Sequence, residues 1–261
     1  MQLTALLLTY GISAAPINYD LRVVFTGMIP ILGGNEGEAD VRLGVQVQGK
    51  PGTATSELTS AKIIFNGGTL PLTLDNVKEF FPKTTVEYSP QGKITKTDAP
   101  NIELPVRLPG LDVKRFPDIT YMPVEFPAKE LAIGDKWSFE KSFAGSPVTY
   151  ECELTKLDEK TATINLKVEQ KYTVYEDAAM QVVKDKRDAE NEVATTLTAK
   201  GEAIFDRRGW IVLFKMKGDA DSMVKSINED KVTTRTLKIA VEFKEAKPGT
   251  PAPKTPEFRL L

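Results

Sequence analysis

The chain has 261 residues, with 34 lysine plus arginine against 36 aspartate plus glutamate and a formal charge of −2. That balance argues against nucleic acid or an anionic membrane as the main partner. There is no histidine and a single cysteine, which removes Ser-His-Asp and Cys-His catalysis, histidine metal sites, internal disulfides and cysteine-built zinc sites.

Residues 1–15, MQLTALLLTYGISAA, carry no charged side chain. The apolar run from Leu3 to Ile12, followed by Ser13, Ala14 and Ala15, predicts a signal peptide, and Pro16 directs the cut to after Ala14. The competing reading is a buried first strand. The run is too short to cross a bilayer, and no other stretch predicts a membrane helix. The expected location is secreted or periplasmic.

Beyond this segment the dominant signal is alternation at period two. Val41, Leu43, Val45 and Val47 alternate with polar neighbours, as do Trp137, Phe139 and Phe143, then Val148, Tyr150, Cys152 and Leu154. Ala162, Ile164, Leu166, Val168, Tyr172 and Val174 share one face, and Leu237, Ile239, Val241 and Phe243 share another. Such runs describe antiparallel strands with one wet face. Turn residues separate them: Ser89-Pro90-Gln91-Gly92, Asp158-Glu159-Lys160 and Asp206-Arg207-Arg208-Gly209. Asp75 predicts a cap for a short helix over Asn76 to Phe81. Asp177 to Glu192 reads as a surface helix or an excursion between strands, and Asp219 to Asp230 as a loop or a strand extension.

The fold class is therefore mainly β, with antiparallel sheets and one or two short helices. The sheets form either two β-rich halves, residues 16–98 and 128–245, or one large curved, half-barrel-like sheet. Residues 99–127 read as a Pro-rich crossover on the surface, anchored by Leu111, Phe116, Tyr121 and Phe126. Residues 246–261 read as a Pro-rich disordered tail. Each half contains an aromatic-led hairpin, Tyr88 to Ile94 and Phe205 to Ile211, which hints at an internal duplication.

The phrase Pro127 to Trp137, with its Gly134-Asp135 turn before an aromatic strand, resembles one found in uncharacterised β-rich bacterial envelope proteins. Gly201 to Asp206 with Gly209 is similar to a second phrase in the same group. The resemblance spans roughly Val86 to Phe243 and rests on turn signals. It implies a secreted β-rich fold with a large curved sheet, and it transfers no catalytic residue.

The residues with potential chemistry all have structural readings. Ser138-Phe139-Glu140-Lys141 and Ser222-Met223-Val224-Lys225 match the SxxK of penicillin-recognising enzymes, but in a strand residues three apart face opposite ways. Glu151, Glu153 and Asp206 are the acids available to a carboxylate hydrolase, and each reads as a wet-face or turn residue. Gly33 to Asp40 has the composition of a calcium loop without EF-hand spacing and reads as a plain loop. Cys152 reads as an inert buried thiol, Trp137 and Trp210 as core, and Arg207-Arg208 and Lys184 to Arg187 as solvated surface. No catalytic, cofactor or metal residue is predicted. The expected function is an exported, non-enzymatic binding or structural protein of the cell envelope, whose partner is an apolar ligand or an envelope protein. The alternatives are a carrier holding a lipid or other apolar ligand on a concave sheet, and a carboxylate-dependent hydrolase.

Overall fold

The alternating runs become thirteen strands in a computed structural model that describes residues 5–29, 35–99, 113–143 and 145–246. The first group is β1 (Ile17–Ile29), β2 (Asn35–Lys50), β3 (Thr53–Phe65), β4 (Gly68–Thr69), β5 (Thr84–Tyr88) and β6 (Ile94–Asp98), with helix α1 (Leu74–Phe80) before β5. The second is β7 (Lys136–Phe143), β8 (Ser146–Leu157), β9 (Thr161–Glu176), β10 (Val182–Val183), β11 (Asn191–Asp206), β12 (Trp210–Ser226) and β13 (Val232–Glu245). All belong to one open antiparallel sheet in the order β6-β5-β3-β2-β1-β13-β12-β11-β9-β8-β7, with β4 on β3 and β10 on β9. The two β-rich halves are thus one sheet, joined where β1 pairs along β13, with Leu21 opposite Phe243 and Phe25 opposite Ile239.

One face of this sheet is apolar and covered, and the other is polar and wet. Leu43, Val45, Val47, Leu154, Ile164, Leu166, Ile239 and Phe243 are all buried on the covered face. Each such side chain contributes about 1.5–3 kcal/mol relative to exposure. The wet face carries cross-strand ion pairs such as Lys167–Glu151 and Lys238–Asp219. Pairs this exposed contribute about 0–1 kcal/mol each. Asp40 differs: Arg22 and Arg42 close over it, and it is only 4% exposed. Burial pushes its carboxyl upward, but hydrogen bonds from Arg42 and Arg22 outweigh that and hold it below the usual range.

The cover comes from the chain itself. Residues 5–15 run extended across the ends of the hairpins and bury Leu8, Tyr10 and Ile12. Residues 116–126 also pass through the core, where Phe116, Ile119, Tyr121, Met122, Val124 and Phe126 are buried. This corrects the expectation of a surface crossover. A 3-10 turn at Val113–Ile119 contains Pro117, and the apolar side chains from Phe116 to Phe126 take the segment inward. Leu111 and three of the crossover's six prolines (Pro100, Pro105 and Pro109) lie outside the described residues, as do Gly33, Gly34 and the tail from residue 247.

Local expectations change at the helix cap and at residues 35–40, and the structure decides between the alternatives at residues 177–192 and 219–226. Helix α1 is capped by Thr73, not Asp75: the Thr73 hydroxyl accepts from the Asn76 N–H and the Asn76 side-chain Oδ1 accepts from the Thr73 N–H. Asp75 falls in the first turn, where its charge suits the helix dipole. Residues 177–192 form no α-helix. The Asp177 carboxylate accepts from the N–H groups of Ala179 and Gln181, and Asp185 caps a three-residue 3-10 turn at Lys186–Asp188. Short acidic side chains compete with helical bonding in this way. Residues 219–226 extend β12, and residues 35–40 are strand rather than loop.

Candidate functional site

The covered face changes character along the second half of the sheet. Near the turns at residues 158–160 and 206–209 it is lined by Ala162, Ile164, Phe205, Phe214 and Phe243. Toward the opposite strand ends the same slots hold polar groups. Pairing places Tyr172, Thr195, Ser222 and Arg235 side by side on β9, β11, β12 and β13. Thr195 and Ser222 share a hydrogen bond of 2.8 Å, and both are buried. Arg235 reaches diagonally to Glu176, its Nη2 donating to Oε1 at 2.6 Å. The two side chains are 14% and 6% exposed. Glu176 Oε2 is buried and accepts from no group among the described residues. A buried acceptor left without a donor costs about 1–3 kcal/mol or more.

A depression of about 590 Å3 opens over these strand ends. Glu176 and Arg235 line it together with Met28, Met180 and Val224, which supply apolar contact, and Glu229 and Lys231 supply charge on the rim. Met180 holds its part of the wall in a left-handed backbone conformation, φ +61°. That is a costly state for a side chain other than glycine or asparagine. Two further hollows lie on the wet face of the sheet. One, of about 760 Å3, is lined by Lys171, Thr196, Asp221 and Thr236, and the other, of about 560 Å3, by Glu151, Lys167, Glu169 and Asp219.

A second buried ion pair lies beneath the crossover. Lys141 Nζ donates to Asp118 Oδ1 and to the Met122 carbonyl, both at 2.9 Å, and the pair is 0% and 1% exposed at the side chains. The ammonium sits 5.5 Å and 5.7 Å from the stacked rings of Phe139 and Tyr150. It ties the edge strand β7 to the buried crossover.

The residues singled out from the sequence are scattered. Ser138 is exposed on the wet face and Lys141 is buried on the other, so this SxxK does not assemble. Ser222 is buried against Thr195 while Lys225 is exposed. Glu151 pairs with Lys167 and Glu153 with Lys136. Asp206 accepts from the Arg208 N–H at 2.8 Å and pairs with its guanidinium, which holds the carboxyl below its ordinary range. Burial pushes the Cys152 thiol up to about 12, so it carries little thiolate at neutral pH. Trp137 is half-buried against Phe126, its indole N–H donating to the Glu125 carbonyl. Trp210 lies half-buried under the Arg208 guanidinium. Arg187 is exposed and paired with Asp185.

Glu176, Arg235, Thr195 and Gln170 were missed as site residues. Each occupies a slot where the alternation calls for an apolar side chain. That interruption of period is the signal that could have found them. No helix among the described residues is long and apolar enough to cross a membrane. Neither a family model nor a curated protein matches this chain.

Proposed function

We propose that this protein is a non-enzymatic binding protein of the cell envelope that holds an amphiphilic ligand at the polar end of its covered sheet face. One observation carries this reading: four adjacent strands change together from apolar to hydrogen-bonding side chains and end at a depression floored by the Glu176–Arg235 pair. Ligand sites combine an apolar wall with a few convergent polar groups, and Met28, Met180 and Val224 beside this pair meet that description. The acids open to a hydrolase, Glu151, Glu153 and Asp206, stand in ion pairs on the wet face and at a turn, which supports a structural role for them.

The test is native mass spectrometry of the full chain purified without detergent, before and after organic extraction, followed by titration with an environment-sensitive apolar dye. The expected result is an extractable small-molecule adduct and a dye signal that weakens in Arg235→Met. No adduct, together with a dye response identical in the variant, overturns the reading.

A second reading, a structural module without a ligand, is favoured by the other end of the sheet. There Leu8, Tyr10, Ile12, Phe126 and Phe205 fill the space between the hairpins with the chain's own side chains. Export belongs to both readings and is tested by fractionation, with intact-mass measurement of the protein recovered from the envelope.

A further inference from the structure

Residues 6–13 bind the rest of the molecule as an extended peptide binds a receptor. Leu6 exchanges two main-chain hydrogen bonds with Leu131, at 3.0 and 2.9 Å. The Tyr10 N–H donates to the Pro90 carbonyl at 2.7 Å, the Gly11 N–H to the Gly209 carbonyl at 2.9 Å, and the Gly49 N–H to the Ser13 carbonyl at 2.8 Å. These partners lie in the turns after β5 and β11, at the end of β2 and in the approach to β7. Alternate side chains, Leu8, Tyr10 and Ile12, point into the core and are at most 5% exposed. The Tyr10 hydroxyl donates to the Val124 carbonyl at 3.0 Å, and its ring lies 5.1 Å from Phe205 and 5.6 Å from Phe126.

The receptor is shaped to this backbone. A Cβ on Gly209 would stand 2.2 Å from the Gly11 nitrogen, and one on Gly92 would stand 2.3 Å from the Tyr10 ring. Both glycines also have positive φ, +119° and +89°. The segment's covalent tie to β1 runs through Ala14, Ala15 and Pro16, which are exposed.

We infer that the groove under residues 6–13 is a binding site for an extended peptide, held through its main chain and its alternate side chains, and that its ligand is an extended segment with apolar side chains at alternate positions, an aromatic residue at the centre and glycine next to it. The chain's own N-terminal segment fills the site. A cut in the exposed Ala14–Pro16 connection leaves that segment bound without a covalent link. Five main-chain bonds and three buried side chains do not depend on the connection.

The experiment uses the full chain with a site-specific protease sequence inserted between Ala15 and Pro16, cut after folding and examined by native mass spectrometry at micromolar concentration. The expected result is that the released fragment stays with the body. An isotope-labelled synthetic peptide of residues 1–14 then exchanges into the groove, and the Tyr10→Ala peptide competes at least 10-fold less well. Loss of the fragment from a folded body, collapse of the body on cutting, or equal competition by the two peptides overturns the proposal. If the insertion prevents folding, limited digestion of the unaltered chain by a protease that cuts after alanine supplies the same readout.

Discussion

The two ends of the covered face are built on opposite principles. At one end, rings from distant parts of the chain interlock: Tyr10 with Tyr88, Phe126 and Phe205, and Phe126 with Trp137. Tyr10 and Phe126 each touch three other rings, and backbone bonds from two hairpin turns, the end of β2 and the approach to β7 fix the segment that supplies Tyr10. At the other end the contacts are single polar pairs, Thr195 with Ser222 and Arg235 with Glu176, next to an open depression. The first arrangement obtains its strength from burial, which adds up over many contacts. The second gives directed groups at the expense of desolvation. Stability and binding are therefore expected to separate along the same strands.

The largest effects belong to the aromatic end. Phe205→Ala removes a fully buried ring in contact with Tyr10 and Phe126 and is expected to cost about 3–5 kcal/mol, read as a lowered midpoint in urea. A cost below about 1 kcal/mol would erase the contrast between the ends. Next is Lys141→Met, which leaves Asp118 without the Lys141 bond on the inside of the crossover. Breaking one side of a buried pair costs about 3–5 kcal/mol, whereas replacing both partners by apolar residues is often neutral. Lys141→Met with Asp118→Leu is therefore expected to recover most of the loss, and a double variant as unstable as the single one would assign the loss to the packing of Phe139 and Tyr150 instead.

At the polar end the expected losses are smaller. Glu176→Gln keeps the shape and an acceptor for Arg235, so about 1–2 kcal/mol is expected from the loss of the charge-assisted bond. Its effect on the dye titration should exceed its effect on the urea midpoint. The reverse ranking would make the pair a plain structural tie. Thr195→Val together with Ser222→Ala removes both members of a hydroxyl pair and should stay within about 1 kcal/mol of the parent in the same measurement.

This contrast also explains what could be read from the sequence. Strands, their wet and dry faces and most turns were legible, because Val41 to Val47, Val148 to Leu154 and Leu237 to Phe243 obey a two-residue period that only one geometry satisfies. That β1 joins β13 was not legible. Pairing between residues more than two hundred positions apart leaves no local mark, and either one sheet or two halves satisfies the same alternation. The inward course of residues 116–126 was hidden by their prolines, which report backbone conformation and not burial. The polar end was hidden for a different reason. Gln170, Glu176, Thr195, Ser222 and Arg235 read as lapses in a pattern, and only the register shows that these lapses fall together across four strands.

Acid is the finest probe of the comparison, because ionisable turn residues with shifted carboxyls hold the aromatic end. Asp158 turns β8 into β9: its Oδ1 accepts from the N–H groups of Lys160 and Thr161 at 2.9 and 2.8 Å. These bonds favour the carboxylate and lower its pKa to about 2, against about 3.9 in an unfolded chain. Arg207 fastens the neighbouring turn to this one, its N–H donating to the Lys160 carbonyl and its Nη1 to those of Asp158 and Glu159. Because the folded value lies below the unfolded one, the contribution of Asp158 is complete above about pH 4 and is lost as the pH falls toward 2. The Thr195–Ser222 pair has no such dependence. Amide exchange measured at pH 5 and pH 2.5 should therefore show protection falling first at Lys160, Thr161 and Arg207, and Asp158→Asn should abolish most of that pH dependence while lowering protection at pH 5. An acid response that begins around Thr195 and Ser222 instead would mean that the polar end controls the opening of the sheet.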